Sequence, residues 1–199
     1  MQTSRAEQAE IIEGLNVFRA LEAWGATLYA AWAANEPDAR LAVGHLIIAE
    51  REATHARLLA ERLRALGSEP APACVDAVLA EQLDELRDVR GFVAQLDGLK
   101  RVTERDAARM TDCRRALDRA RAAAEATDPA THAFLLQLYG EEKVSAAWYR
   151  HTYGELTGRH PRSDALPVMT SAQVLRRALS ASATDAHAAA ACAAVTPAG

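Results

Sequence analysis

The sequence has few of the residues that break helices or build cysteine-held scaffolds. Its 199 residues include 10 glycines and 7 prolines, too few for a fold of short strands and tight turns. The three cysteines, Cys74, Cys113 and Cys192, stand far apart with no CxxC pair. That spacing excludes a cysteine-ligated zinc or iron centre, offers no disulfide framework and suits a reducing cytoplasm. Basic residues are not in excess, with 23 Lys and Arg against 27 Asp and Glu and a net charge of −4. The arginines are interspersed with acids rather than gathered on one face, so no nucleic-acid partner is expected. The opening MQTSRAEQAEIIEG has no apolar core of signal-peptide length, and no uncharged run of about 18 residues occurs before the Ala-rich tail. A soluble, cytoplasmic chain without a membrane span is expected. No Gly-rich phosphate loop, Ser-His-Asp order or helix-start nucleophile motif is present.

What the sequence does contain is helix-forming and amphipathic. Half of the chain is apolar (50%) and a quarter charged (25%), and Ala, Leu, Glu and Arg dominate, which predicts an all-α domain. Ile11, Leu15, Phe18, Gly25, Tyr29 and Trp32 recur at three and four, giving helix 1 from about Ala6 to Ala34. The turn residues Asn35 to Asp38 reverse the chain into helix 2, about Asp38 to Leu66, which Gly67 ends. The Pro-rich stretch Ser68 to Ala73 and a weaker helical pattern from Val75 to Val89 predict a long crossover. Phe92, Leu96, Leu99, Thr103, Asp106, Met110 and Leu117 mark a single helix 3. Asp128 and Pro129 start helix 4, with Phe134, Leu135, Leu138, Trp148 and Tyr149 on its inner face. The bundle is expected over 1–158. Residues 159–199 are expected to form a short helix, about Ser171 to Leu179, and a mobile Ala-rich tail.

Acids interrupt these apolar stripes. Helix 2 reads His45, Ile48, Glu52, His55, Leu59, Leu63 along one face, so a carboxylate and an imidazole occupy core positions. Glu52 and His55 are i and i+3, about 60° apart around a helix, and can address one atom between helices. Glu22 falls within the helix 1 stripe, and Glu142, with Glu141 beside it, within that of helix 4. Glu104 lies beside the helix 3 stripe, where Asp106 is the alternative. Any one of these acids is ordinarily a boundary residue with its head in solvent. Jointly, Glu22, Glu52, His55, Glu104 and Glu142 form a donor set suited to hard, multivalent metal ions. His45 is a core histidine or an outer partner of the same site. His132, His151, His160 and His187 have no ligand spacing and are expected at the surface.

Glu22, then Glu52-Ala-Thr-His55, then Glu104, then Glu142 resembles the ferritin-like di-iron carboxylate superfamily, and in the second helix a rubrerythrin-type domain, over about residues 10 to 155. The resemblance implies an antiparallel four-helix bundle with a long helix 2 to helix 3 crossover. It also implies two metal ions, iron with manganese as an alternative in one or both positions. Glu22 and His55 would hold one ion and Glu104 the other, with Glu52 and Glu142 bridging. Two departures stand out: Ser145 occupies the position of the second motif's histidine, and the four-cysteine rubredoxin-like module is missing. The chain resembles the ferroxidase centre of animal ferritin heavy chains in having one histidine and in Tyr29, seven residues after Glu22. The implied function is a non-haem di-iron or iron/manganese oxidoreductase that reacts with O2 or peroxide, aided by an electron-donor protein. The alternative is a metal-poor bundle with a structural or partner-binding role, whose acids reach solvent or pair with Arg51, Arg101 or Lys143. A homodimer through the outer faces of helices 1 and 2 is a further expectation.

Overall fold

The computed structural model describes residues 4–158; the short helix expected near Ser171 and the Ala-rich tail lie outside them. Among the described residues there are six helices and no strand: α1 (Arg5–Asn35), α2 (Ala39–Ala65), α3 (Asp76–Leu86), α4 (Phe92–Arg105), α5 (Thr111–Thr127) and α6 (Pro129–Thr157). None is long and apolar enough to cross a membrane.

Local sequence sets most of the helix ends. Ser4 and Glu7 form a capping box at the start of α1, satisfying two backbone donors reciprocally. Asp38 caps α2 and Asp128 caps α6, with Pro129 in its first turn. Past α2, Gly67 takes φ 77°, a left-handed conformation that glycine adopts without a Cβ penalty. The Pro-rich connection that follows is pinned to α1, where Asn16 Oδ1 accepts from Ala71 N at 2.8 Å and Arg19 Nη2 donates to Ala71 O at 2.9 Å.

Cross-helix contacts fix the directions. Gln8 meets Leu66, Glu22 meets His55 and Trp32 meets His45, so α1 and α2 run antiparallel. Arg62 meets Asp128 and Thr131, Arg51 meets Ser145 and His45 meets Tyr149, so α2 and α6 are antiparallel too. On another side α5 crosses α1 closely enough that a Cβ on Gly14 would overlap that of Ala120.

The core falls into two apolar clusters. One gathers Ile11, Leu15, Phe18, Leu59, Leu63, Leu117 and Leu138. The other gathers Leu28, Tyr29, Trp32, Ile48, Phe92, Leu96 and Tyr149. Along α1, α2 and α6 alike, the interval between the clusters holds the buried acids Glu22, Glu52 and Glu142.

Two expectations are corrected. The helix predicted from Phe92 through Leu117 is two helices, α4 and α5, separated by turns at 106–110. The apolar period runs through the break, but the two parts pack on different partners, α4 in the second cluster and α5 in the first. At the junction Asp106 is drawn to α3, accepting from Gln82 Nε2 at 2.9 Å, while Arg109 reaches Glu81. The second correction concerns the cysteines. Cys74 and Cys113 are joined by a disulfide, with their Cα atoms 6.1 Å apart. The 39-residue separation hides this pair, because the connection before α3 lies over the start of α5.

Asp106 is almost fully buried, its side chain 3% exposed. Hydrogen bonds from Arg105, then those from Gln82, overcome the effect of burial and lower its pKa to about 2. A carboxylate held below its unfolded value stabilises the fold above about pH 4, and that contribution disappears as pH falls toward 2. Asp106→Asn should therefore destabilise the chain by about 1–2 kcal/mol at neutral pH, discounted because both arginines are partly in solvent. Denaturant titrations of both proteins should show the gap near neutrality and its closure between about pH 4 and 2.

Candidate metal centre

The site is built from three long helices whose inner faces carry a polar residue between two apolar turns. In α1, Glu22 follows Phe18 and precedes Tyr29; in α2, Glu52 and His55 lie between Ile48 and Leu59; in α6, Glu142 lies between Leu138 and Tyr149. Glu22 and Glu142 are 0% exposed, His55 1% and Glu52 2%. Burying such a group is costly unless it is paired or coordinated.

His55 organises the cluster. Its Nδ1 lies 3.1 Å from Glu22 Oε2 and 3.2 Å from Glu142 Oε1, and its Nε2 lies 2.8 Å from Glu141 Oε2. Glu22, His55 and Glu142 offer ligand atoms that all lie within 4.8 Å of one another. The Glu52 carboxyl is bonded to that of Glu22 and feels the charges of Glu142 and His55. Glu52 Oε1 and Glu142 Oε2 are buried and accept no hydrogen bond among the described residues.

The electrostatics follow from this crowding. Burial, and then the neighbouring Glu22 and Glu142, push the Glu52 carboxyl well above the usual carboxylate range. Burial alone would lower His55, but its bonds to Glu142 and Glu141 outweigh that and raise it. Three buried carboxyl groups crowd around one imidazole, and a metal ion at that point would supply the positive charge that such crowding favours.

The two nitrogens of His55 face different acids, and this separates Glu141 from Glu142. Glu141, its side chain 44% exposed, accepts from Nε2–H at the outer edge. That bond leaves Nδ1 facing Glu22 and Glu142, the orientation of a ligating histidine backed by an outer carboxylate. Arg51, Arg101 and Lys143 do not pair with the buried acids. Arg51 donates to Glu141 O and Ser145 Oγ, Arg101 reaches Glu85, and Lys143 stands over the ring of Tyr139.

Of the residues singled out from the sequence, the structure brings Glu22, Glu52, His55 and Glu142 together and leaves Glu104 apart. Glu104 is exposed in the last turn of α4. It is two residues from buried Val102, about 160° around the helix, so it points away from the core. The alternative acid, Asp106, is buried but committed to Gln82, Arg105 and Arg109. No acid from α4 or α5 joins the cluster among the described residues. Ser145 is buried and accepts from Arg51 Nη1 at 2.8 Å, so the centre has a single histidine.

Two supporting features were only half legible. Gly25 was visible as a stripe position. A Cβ there would stand 2.9 Å from Glu52 Oε2, so the missing side chain makes room for the carboxylate. His45 is a core residue: its Nδ1 lies 3.0 Å from Tyr149 Oη, and burial lowers its pKa to about 4, slightly offset by Gln95. Tyr149, Phe92, Trp32 and Trp148 pack around it at ring separations of 5.4–5.7 Å, and Tyr29 packs on Trp32 and Tyr149 behind them. Burial first, and then the nearby glutamates, hold the Tyr29 phenol well above its normal pKa, so it remains protonated beside the site. Of the histidines expected at the surface, His151 is exposed and pairs with Glu155 at 3.2 Å, His132 is half-buried, and His160 and His187 lie outside the described residues.

Two substitutions test this geometry through metal affinity. Gly25→Ala should leave helix content intact, since alanine favours a helix interior by roughly 0.5–1 kcal/mol, yet weaken Mn2+ binding by displacing Glu52. Glu141→Gln should weaken it about 10- to 100-fold by loosening the His55 ring. Calorimetric titration with Mn2+ reads both, and wild-type affinity in either variant contradicts the corresponding role.

Comparison with family models, with curated proteins and with solved structures gave no match.

Proposed function

We propose that the chain is a non-haem iron oxidoreductase that reacts with O2 or peroxide, with iron or manganese held by Glu22, Glu52, His55 and Glu142. The observation that carries this reading is the buried convergence of Glu22, His55 and Glu142 with no arginine or lysine to neutralise Glu142 or Glu52 among the described residues. Carboxylate oxygens with one imidazole suit ferrous, ferric and manganous ions, and no thiolate set that would favour zinc is gathered among the described residues.

The order of the helices supports the resemblance to the ferritin-like superfamily. The long α1, α2 and α6, with α4 and α5 as an interrupted fourth segment, correspond to a four-helix bundle, and residues 66–91 to its crossover. The donor set accounts best for one firmly held ion. A second would have Glu52 and Glu142 to share but no terminal ligand, since Glu104 faces solvent and Ser145 engages Arg51.

Bound iron would supply the redox change between ferrous and ferric states. The chain supplies the rest. Glu22, Glu52 and Glu142 balance the ion's charge, Glu141 fixes the His55 ring, and the aromatic cluster around His45 keeps bulk water from one end of the site. Glu52 would be placed to exchange a proton as that charge changes, because burial and the neighbouring Glu22 and Glu142 hold its carboxyl toward neutrality.

A second reading, a metal-poor bundle with a structural or partner-binding role, draws on Glu104 and Ser145. Loading with ferrous iron under anaerobic conditions separates the two. The oxidoreductase reading expects about one ion per chain by elemental analysis and an optical change on adding peroxide. It also expects a melting temperature raised by several degrees, since ligand at 100 times its Kd contributes about 2.7 kcal/mol. Glu52→Ala should reduce all three. Melting that ignores both iron and chelator would favour the second reading.

A further inference from the structure

Between α2 and α6, on the side away from α1, a groove encloses about 200 Å3, lined by Gly44, Ile47, Ile48, Arg51, Val144, Ser145 and Trp148. Its walls are apolar, and its rim carries the exposed side chains of Val43 (55%), Ile47 (57%) and Val144 (59%). Trp148 forms one wall and lies so flat on α2 that a Cβ on Gly44 would fall within its indole ring. Arg51 is the one cation among the lining residues. Its Nη1 donates to two neutral acceptors, Ser145 Oγ at 2.8 Å and Glu141 O at 3.2 Å. No carboxylate of the described residues forms an ion pair with it; the nearest acid whose charge it affects is Glu141.

From these features we infer that the groove is a binding site for a medium-chain aliphatic monocarboxylate. The carboxylate takes the free part of the Arg51 guanidinium, a planar donor suited to a carboxylate fork. The first carbons lie along Ile48 and Trp148, and the rest of the chain covers the Val43, Ile47 and Val144 rim. At about 30 Å3 per water, the enclosed space has room for on the order of seven non-hydrogen atoms. A chain of about eight carbons would fill it and reach the rim. Apolar walls with one charge at the floor favour this occupant over a sugar or a nucleotide, whose many polar groups would lose water without replacement. Ser145 at the floor is one helical turn from Glu142, so the ligand lies beside the metal centre. That it is the oxidoreductase's substrate class rests on the function proposed above, whereas binding itself does not.

Octanoate is the probe, titrated into the chelator-treated full chain by calorimetry and followed by tryptophan fluorescence. Saturable 1:1 binding is expected, with 1-octanol at least tenfold weaker. Arg51→Gln should weaken octanoate at least tenfold and leave octanol unchanged. Val144→Glu, at an exposed position that tolerates charge, should abolish octanoate binding by repulsion. Absence of saturable binding overturns the site, as does binding that neither substitution alters. Sedimentation shows whether the chain is instead a dimer that Val144→Glu dissociates, which would make the groove an interface between copies and also overturn the proposal. Mn2+ titration of octanoate-free protein is read separately, so loss of the groove site and loss of the metal centre are distinguishable.

Discussion

The structure depends on keeping three carboxyl groups and an imidazole dry in the middle of a helical core. Glu22, Glu52 and Glu142 lie between two apolar clusters, and helices approaching from three directions deliver them. In such surroundings each uncompensated charge costs several kcal/mol even after relaxation. Packing alone does not favour this arrangement, since leucine at the same positions would join the two clusters into one continuous core. What the acids provide is a buried place where positive charge is stabilised.

Much of the surrounding structure works to hold those side chains in register. The bidentate pair between Arg62 and Asp128, at 2.8 and 3.0 Å, ties the end of α2 to the cap of α6. That fixes the sliding position of one helix along the other, and with it the meeting of His55 with Glu141 and Glu142. At the opposite end, Tyr149 and His45 meet across the same two helices at 3.0 Å. Two polar contacts of definite geometry, one on each side of the site, leave little freedom for axial drift. Close packing at Gly14 and Gly25 draws α1 against its neighbours, and at Gly25 the space is taken by the Glu52 carboxyl group. The glycine thus gives up helix stability in exchange for position.

The sequence was most informative where a rule of helix geometry applied directly. An acid inside a 3.6-residue apolar period means little alone, but α1, α2 and α6 each carry one and all three are buried. Glu104 misled because it stood beside its stripe rather than in it. A two-residue offset from Val102 is enough to turn a side chain from core to solvent. The choice between Glu141 and Glu142 was closed to periodicity, since both border the inner face and only the direction of the His55 ring separates them. The break between α4 and α5 was hidden for a related reason. The apolar period is continuous through Asp106, and the interruption arises from long-range partners, Gln82 and Glu81, that no local window contains. The pairing of Cys74 with Cys113 belongs to the same class of information.

Ser145 shows how one residue can change both a centre and its surroundings. A histidine there would add a second imidazole one turn beyond Glu142 and would compete with Arg51 for the same space. Serine instead accepts a hydrogen bond from Arg51 Nη1 and holds the guanidinium at the floor of the groove between α2 and α6. The positive charge therefore stays outside the carboxylate cluster, about one side chain away, where it neither neutralises the acids nor displaces a bound cation. Had that arginine turned inward to pair with Glu142, the buried charge would be satisfied within the chain and the affinity for a metal ion would fall. Serine at this position thus keeps the guanidinium outside the carboxylate cluster and at the groove beside it.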